Sequence, residues 1–137
     1  MKPQEIFDKV LRHLEDQGGR AVDEAGYCMY RAPDGRACAL GALVDDETAE
    51  KWDAYGSENT GRSPGAHTLI SAGLTPDWVR RNASLVGDLQ RLHDVATYWD
   101  GQYFHLNRAR TIAKYHGLST DIIETIAEER RENPAGL

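Results

Sequence analysis

The fold is organised around residues 83–98, ASLVGDLQRLHDVATY. Apolar residues and one histidine recur along it at the spacing of a single helical stripe. The stripe consists of Leu85, Val86, Leu89, Leu92, His93 and Ala96. An apolar stripe of this length needs other elements to cover it, so we predict that 83–98 is the central helix.

The other helices are predicted on both sides of this stripe, from periodicity and from signals at their ends. An amphipathic helix is predicted over 3–17, with a proline near its start and a glycine pair after its end. A final helix is predicted over 120–131, with Ser119 as its cap. Further helices are predicted over 46–53, 66–72 and 102–116, and one more begins at Thr75. Residues 54–65 are rich in Gly, Pro, Ser and Thr without periodicity, which indicates an exposed loop.

One stretch, GYCMYRAPDGRACAL at 26–40, has the pattern of strands. The tripeptide PDG at 33–35 has the composition of a type I turn with its glycine in the left-handed conformation. We therefore predict a β-hairpin in which 27–31 pairs with 36–40. The predicted register sets Tyr30 opposite Cys38 and Cys28 opposite Leu40, so that both cysteines lie on one face. The expected fold class is mainly α, a compact bundle of about five or six helices with one β-hairpin near 27–40.

Length, charge and hydropathy indicate a single domain and argue against a membrane protein and against a general nucleic-acid-binding protein. With 137 residues the chain has the size of one domain, and we treat 1–137 as a single domain. Sixteen Lys and Arg against 22 Asp and Glu give a net charge of −6, which argues against nucleic-acid binding over the whole surface. No stretch approaches the roughly 20 apolar residues of a membrane helix, and the charged N-terminus is unlike a secretory signal. We expect an intracellular protein with no membrane partner.

Cys28 and Cys38 allow several interpretations. A reducing compartment disfavours a disulfide, and no Cys or His pair has the close spacing of a zinc site, so neither a metal nor a cofactor is predicted. Cys38 precedes a short helical run, where a thiol becomes a nucleophile if a histidine such as His67 or His93 serves as its base. We weigh this catalytic interpretation below the simpler one, in which free cysteines are small buried hydrophobes.

The charge is divided between two segments. Residues 45–60 hold six carboxylates against one lysine, whereas 101–117 contain basic residues and no acid. Arginine pairs with phosphate and aromatic rings stack on bases, so two clusters of aromatic and basic residues are candidate sites for a small anionic ligand. The clusters are Trp99, Tyr103, Arg108 and Arg110 near the basic helix, and Tyr30, Arg31 and Arg36 on the hairpin. The alternative is that these charges only solvate outer faces while the aromatic residues fill the core.

Four short motifs carry a resemblance to known sequences. They are Gln4-x-Ile6-Phe7-Asp8, Gly26-x-Cys28-x-Tyr30-Arg31, Gly35-x-x-Cys38-Ala39-x-Gly41-x-Leu43 and Leu89-Gln90-x-x-His93-Asp94. With these motifs the chain resembles a family of small uncharacterised proteins of bacteriophages and bacterial genomes. The family has no settled activity. The resemblance implies an accessory protein of the bacterial cytoplasm that binds and redirects a host component.

We therefore predict a small helical binding protein that sequesters or inhibits a host component, either a protein or a nucleotide signal of antiviral defence. One alternative is a cysteine-dependent hydrolase or transferase that uses Cys38 with a histidine base. Another is a nucleic-acid-binding protein that acts through the basic helix within 101–117.

Overall fold

The described residues, 1–59 and 64–134 of a computed structural model, form seven α-helices and one two-stranded antiparallel hairpin. The helices are α1 Pro3–Gln17, α2 Asp46–Asn59, α3 Ala66–Ser71, α4 Asp77–Arg81, α5 Ala83–Asp94, α6 Leu106–His116 and α7 Asp121–Glu132, and the strands β1 Trp99–Asp100 and β2 Tyr103–Phe104 lie between α5 and α6. The predicted fold class, mainly α with one β-hairpin, is confirmed. None of the described helices combines the length and the apolar character needed to cross a membrane.

Helix α5 lies at the centre of the fold because its apolar stripe is covered from several directions. Helices α1, α3, α4 and α6 all contact it. The buried apolar residues of the stripe are Leu85, Val86, Leu89 and Leu92. The helix ends at Asp94, four residues before the predicted end, and a short 3-10 helix over Ala96–Tyr98 leads into β1. Trp99 and Phe104 then meet edge to face across the hairpin, with ring centroids 5.9 Å apart, and extend the core.

Helix α1 has the predicted span, 3–17, because both of its ends are encoded locally. A proline stands in its first turn, and Gly18 ends it in the left-handed conformation with φ 74°. Helix α1 also contacts α7. There the Glu15 carboxylate and the Arg130 guanidinium form an ion pair with an N–O distance of 2.6 Å, and their side chains are only 10% and 19% exposed. This pair fixes α7 against α1 next to the core.

The predicted hairpin over 27–40 is corrected by the structure. Its turn forms as expected, with Gly35 at φ 88°, and a single bridge between Arg31 and Ala37 has the predicted register. Pairing stops there, since the chain after Ala39 enters a 3-10 helix over Gly41–Leu43. Cys28 instead bridges back to Val22, before the predicted hairpin. The two cysteines therefore do not lie on neighbouring paired strands.

The reason for the short pairing is that side chains from other elements take the backbone donors of this stretch. The Asp53 carboxylate on α2 accepts the N–H groups of Tyr30 and Arg31 at 3.0 and 2.9 Å. On the other arm, the Leu40 N–H donates to Oε1 of Gln90 on α5 at 3.0 Å. Backbone N–H groups that donate to side chains cannot also donate to a neighbouring strand. The segment therefore folds as a loop that is hydrogen-bonded to α2 and α5.

The predicted loop over 54–65 is also corrected in part, because α2 continues to Asn59; residues 60–63 lie outside the described part of the chain. Asp45 caps α2, with its Oδ1 accepting the Thr48 N–H at 2.7 Å. In the extension Tyr55 packs against the core and Gly56 is buried, which favours continued helix beyond 53. Trp52 anchors the predicted part of the helix. Its side chain is buried, and its Nε1 donates to the Leu74 carbonyl at 2.9 Å. This hydrogen bond holds the middle of α2 against the segment that connects α3 to α4.

The remaining predicted helices form with shifted starts. Helix α6 begins at Leu106 instead of 102, because Tyr103 and Phe104 pair in the hairpin. Ser119 contributes to the start of α7 as predicted, with its Oγ accepting the Asp121 N–H at 3.1 Å. Helix α4 begins at Asp77, directly after Pro76.

Candidate functional site

Two groups of polar residues are candidate sites. The first, the Cys28 cluster, consists of Arg20, Cys28, His93 and Asp94 and joins the loop after α1 to the end of α5. Single ligand atoms of Cys28, His93 and Asp94 lie within 4.8 Å of one another. Nδ1 of the fully buried His93 is 2.7 Å from Oδ1 of Asp94. A cysteine, a histidine and an aspartate in this order suggest a catalytic triad, so the hydrogen bonds of each group decide the interpretation.

Both ring nitrogens of His93 are already occupied. The Ala21 N–H donates to Nε2 at 2.8 Å, and because a backbone N–H cannot accept a hydrogen bond, Nε2 carries no proton. The proton is therefore on Nδ1, which donates it to the Asp94 carboxylate. The ring is neutral and has no free nitrogen to accept a proton from a thiol. His93 is thus a structural link and not a general base.

The same hydrogen bonds oppose a metal ion in the cluster. A metal on Nδ1 leaves the proton on Nε2, where it needs an acceptor, but the Ala21 N–H stands there as a donor. Nη2 of Arg20 also lies 3.2 Å from Sγ of Cys28, which places a cation at the thiol ligand. The donor set of the Cys28 cluster does not fit a metal ion.

Both thiols are held in their protonated state. Burial, followed by the charge of Asp94, raises the pKa of Cys28 to about 11, although Arg20 opposes this shift. Burial raises the pKa of Cys38 to about 12. Cys38 Sγ is buried and accepts the Gly41 N–H at 3.3 Å. Since a reactive thiol needs a lowered pKa, Cys38 lacks the environment expected of the predicted nucleophile.

We expect native Cys28 to react with iodoacetamide at pH 8 about 100-fold more slowly than Cys28 of the urea-unfolded chain. A pKa raised from 9.0 to about 11 lowers the thiolate fraction by that factor. Because folding raises the pKa, the thiol stabilises the fold below pH 9, and this contribution is lost as the pH rises toward 11. Mass spectrometry of alkylated peptides measures both rates. Rapid native modification of either cysteine at neutral pH would restore the catalytic interpretation.

The residues of the predicted hairpin cluster make contacts within the fold. Tyr30 is 2% exposed and packs edge to face on Trp52. The Arg31 guanidinium donates to Asp46 and to the carbonyls of residues 41 and 44. Arg36 contacts Asp34 and the carbonyl of residue 20. The Arg31 bonds tie the loop to the start of α2, so a guanidinium predicted to hold an anion already has partners in the described chain.

The four residues of the predicted cluster near the basic helix lie in different surroundings in the structure. Trp99 is a core residue whose Nε1 donates to the Leu92 carbonyl at 2.9 Å. The Tyr103 ring lies under the Arg130 guanidinium, 4.8 Å from its centroid. Arg110 pairs with Glu124 at 3.2 Å. Of the four residues only Arg108 lines the cleft described next. His67, which was predicted as a possible base for Cys38, is exposed on α3.

The second candidate site is the α5–α6 cleft, a surface cavity of about 340 Å³. Its lining residues are Ser84, Asp88, Arg91 and Leu92 of α5, Tyr98 of the 3-10 helix, and Arg108, Thr111, Ile112 and Tyr115 of α6. Leu92 and Ile112 are buried, whereas the polar residues around them are exposed or half-buried. An apolar interior with a few polar groups around it is the usual composition of a small-molecule site.

Arg91 and Arg108 are the cations of the α5–α6 cleft. The Arg108 Cζ lies 4.2 Å above the centroid of the Tyr98 ring, and this stacking orients its guanidinium. Within 1–59 and 64–134, neither arginine forms an ion pair or donates a side-chain hydrogen bond. Their donors are therefore available to an anion in the cleft.

A carboxylate and a second ring complete the cleft. Oδ2 of Asp88 is 2.7 Å from Nε2 of His116, at the end of α6. The His116 ring in turn contacts the Tyr115 ring edge to face, with centroids 5.0 Å apart. Tyr115 is 78% exposed, which is unusual for an aromatic side chain. The cleft thus combines two cations, one anion and two aromatic rings.

Arg108 was predicted from the sequence as a site residue, whereas the other lining residues of the cleft were not. A signal for the rest is present: residues 84, 88 and 91 have the spacing of one helical face, and so do residues 108, 111 and 115. The two faces adjoin one cleft only because α6 packs against α5. Comparison with family models, with curated proteins and with solved structures gives no match to this chain.

Proposed function

We propose that this protein binds a small planar anion of the nucleotide class in the α5–α6 cleft. The supporting observation is that two arginines without carboxylate partners in the described chain share this cleft with two tyrosine rings. Guanidinium groups bind phosphate through paired, charge-assisted hydrogen bonds, and aromatic rings stack on bases. A ligand that carries both a phosphate and a base uses both kinds of side chain.

The size of the cleft and the charge of the chain favour a free nucleotide over a polynucleotide. A volume of about 340 Å³ lies at the lower end of the range for ligand pockets and suits one nucleotide unit. The net charge of −6 repels a long polyanion, whereas two arginines act on a small anion at short range. For these reasons we favour nucleotide capture over nucleic-acid binding through 101–117.

Capture is also favoured over chemical conversion. The Cys28 cluster offers no free base, and both thiols have raised pKa values, so cysteine chemistry has no support from it. A binding protein without a reaction acts by lowering the free concentration of its ligand. The resemblance to phage proteins extends this proposal to a nucleotide signal of host antiviral defence, and that extension stays a prediction.

Isothermal titration calorimetry with 5′-AMP, 5′-GMP, 3′,5′-cyclic AMP and ADP-ribose tests the proposal. We expect at least one of them to bind, and the variant Arg108→Ala to weaken that binding about 10-fold or more, the usual worth of a charged hydrogen bond. Arg91→Ala is expected to act in the same direction.

Arg110→Ala is the matched control, because Arg110 lies on the same helix but pairs with Glu124 outside the cleft. It should change the affinity less than about twofold, as expected for a surface charge away from the ligand. Equal weakening by Arg108→Ala and Arg110→Ala would point to a general charge effect. Absence of heat and of thermal stabilisation with every nucleotide would refute the proposal.

A further inference from the structure

The α5–α6 cleft contains one carboxylate, Asp88, beside its two arginines. Asp88 and Arg91 are three residues apart on α5, a spacing that commonly gives an ion pair. The Asp88 carboxylate bonds to His116 instead, through Oδ2. Its other oxygen, Oδ1, makes no hydrogen bond to the described residues, and the side chain is 40% exposed. Asp88 is therefore held in place and keeps an acceptor for a ligand.

A carboxylate in a cleft that binds anions affects which anions fit. A bare polyphosphate brings negative charge close to Asp88 and has few hydrogen-bond donors, so the carboxylate would lose water without a replacement partner. A nucleotide has a phosphate at one end and donors, the ribose hydroxyls or a base amino group, elsewhere. It satisfies the arginines and the carboxylate together.

We infer that Asp88 is a specificity residue that selects anions carrying neutral hydrogen-bond donors and rejects polyphosphates without them. The inference rests on the proposed function, since it assumes that Arg91 and Arg108 hold a phosphate. Sites that hydrogen-bond a group of the right ligand discriminate strongly against a ligand that lacks it. His116 acts as a positioning residue, because it touches Asp88 and does not line the cleft.

Titration calorimetry with 5′-AMP and pyrophosphate, on the wild-type protein and on Asp88→Asn, tests this inference. We expect the wild type to prefer 5′-AMP, and Asp88→Asn to shift the ratio of the two affinities about 10-fold toward pyrophosphate. 2′,3′-Dideoxy-AMP and inosine 5′-monophosphate show which donor is recognised, since one lacks the hydroxyls and the other the amino group. Thermal unfolding of each variant checks its fold, and Asp88→Ser replaces Asp88→Asn if the latter unfolds.

Asp77→Asn is the matched control, because it removes one negative charge from an exposed residue of α4 that does not line the cleft. This variant should retain the preference for 5′-AMP. The inference is overturned if Asp88→Asn leaves the affinity ratio unchanged, if the wild type prefers pyrophosphate, or if Asp77→Asn shifts the ratio as much as Asp88→Asn. In those cases nucleotide binding itself, and with it the proposed function, still stands. Failure of the wild type to bind either compound overturns the inference and, unless another nucleotide of the panel binds, the proposed function too.

Discussion

Replacement of Trp52 by alanine is expected to lower the free energy of unfolding by about 3–5 kcal/mol, the usual cost of truncating a buried aromatic side chain. The Trp52 side chain is 1% exposed and contacts the Tyr30 ring edge to face at 5.1 Å. Its Nε1 also donates to the Leu74 carbonyl. Truncation therefore removes apolar burial, a ring contact and a hydrogen bond, and it leaves a cavity between α2 and the loop that carries Tyr30.

Urea denaturation followed by circular dichroism measures this effect, and Trp52→Phe is the control. Phenylalanine keeps a ring against Tyr30 but removes the indole N–H, so we expect it to cost about 1–2 kcal/mol. The midpoint of thermal unfolding should fall by roughly 10–20 °C for Trp52→Ala. A loss below about 1 kcal/mol for Trp52→Ala would mean that α2 is not anchored through this side chain.

Replacement of His93 by leucine is expected to cost about 3 kcal/mol of unfolding free energy, even though leucine fills a similar volume. The change leaves the buried Ala21 N–H without an acceptor, and it removes the His93 Nδ1–H that donates to the Asp94 carboxylate. An unsatisfied buried donor costs about 1–3 kcal/mol, and the second lost bond adds to this. The loop after α1 would then be detached from the end of α5.

Asp94→Asn is the control for His93→Leu, because it keeps an acceptor at this position. The asparagine oxygen still accepts the hydrogen bonds from His93 Nδ1 and from Gln90 Nε2, which the carboxylate accepts at 2.7 and 2.9 Å. We expect this variant to lose about 1 kcal/mol or less, as for an exchange of one acceptor for another. Chemical denaturation of both variants measures the difference. Equal stability of His93→Leu and the wild type would contradict the structural role.

Helices α1 and α5 could be predicted because their signals are local. In α1 a proline, an apolar stripe and Gly18 agree on the same limits, and in α5 the stripe alone determines which face is buried. The limits fail where a hairpin competes with helical periodicity. Helix α6 starts late because Tyr103 and Phe104 pair with β1. Gly101, with φ 60°, is the first of the two turn residues between Asp100 and Tyr103, and a glycine at that place is the local signal for this hairpin.

The stretch 26–40 shows the limit of a local pattern most clearly. Its turn and the register of its first bridge follow from the PDG sequence, since they depend on neighbouring residues. Whether the arms continue as strands depends on other partners for their N–H groups, and Asp53 on α2 and Gln90 on α5 provide those partners. These residues lie 22 and 50 positions away from the groups they bind.

The helical class, the limits of α1, the buried stripe of α5 and the presence of Arg108 on a basic face follow from local sequence, because each depends on residues within a few turns. Which polar groups are satisfied depends instead on tertiary packing. Packing places Arg91 and Arg108 in one cleft without partners in the described chain, while it occupies Arg31, Arg110 and both nitrogens of His93. A side chain is available to a ligand only when folding leaves its donors unused, and that depends on residues distant in the chain.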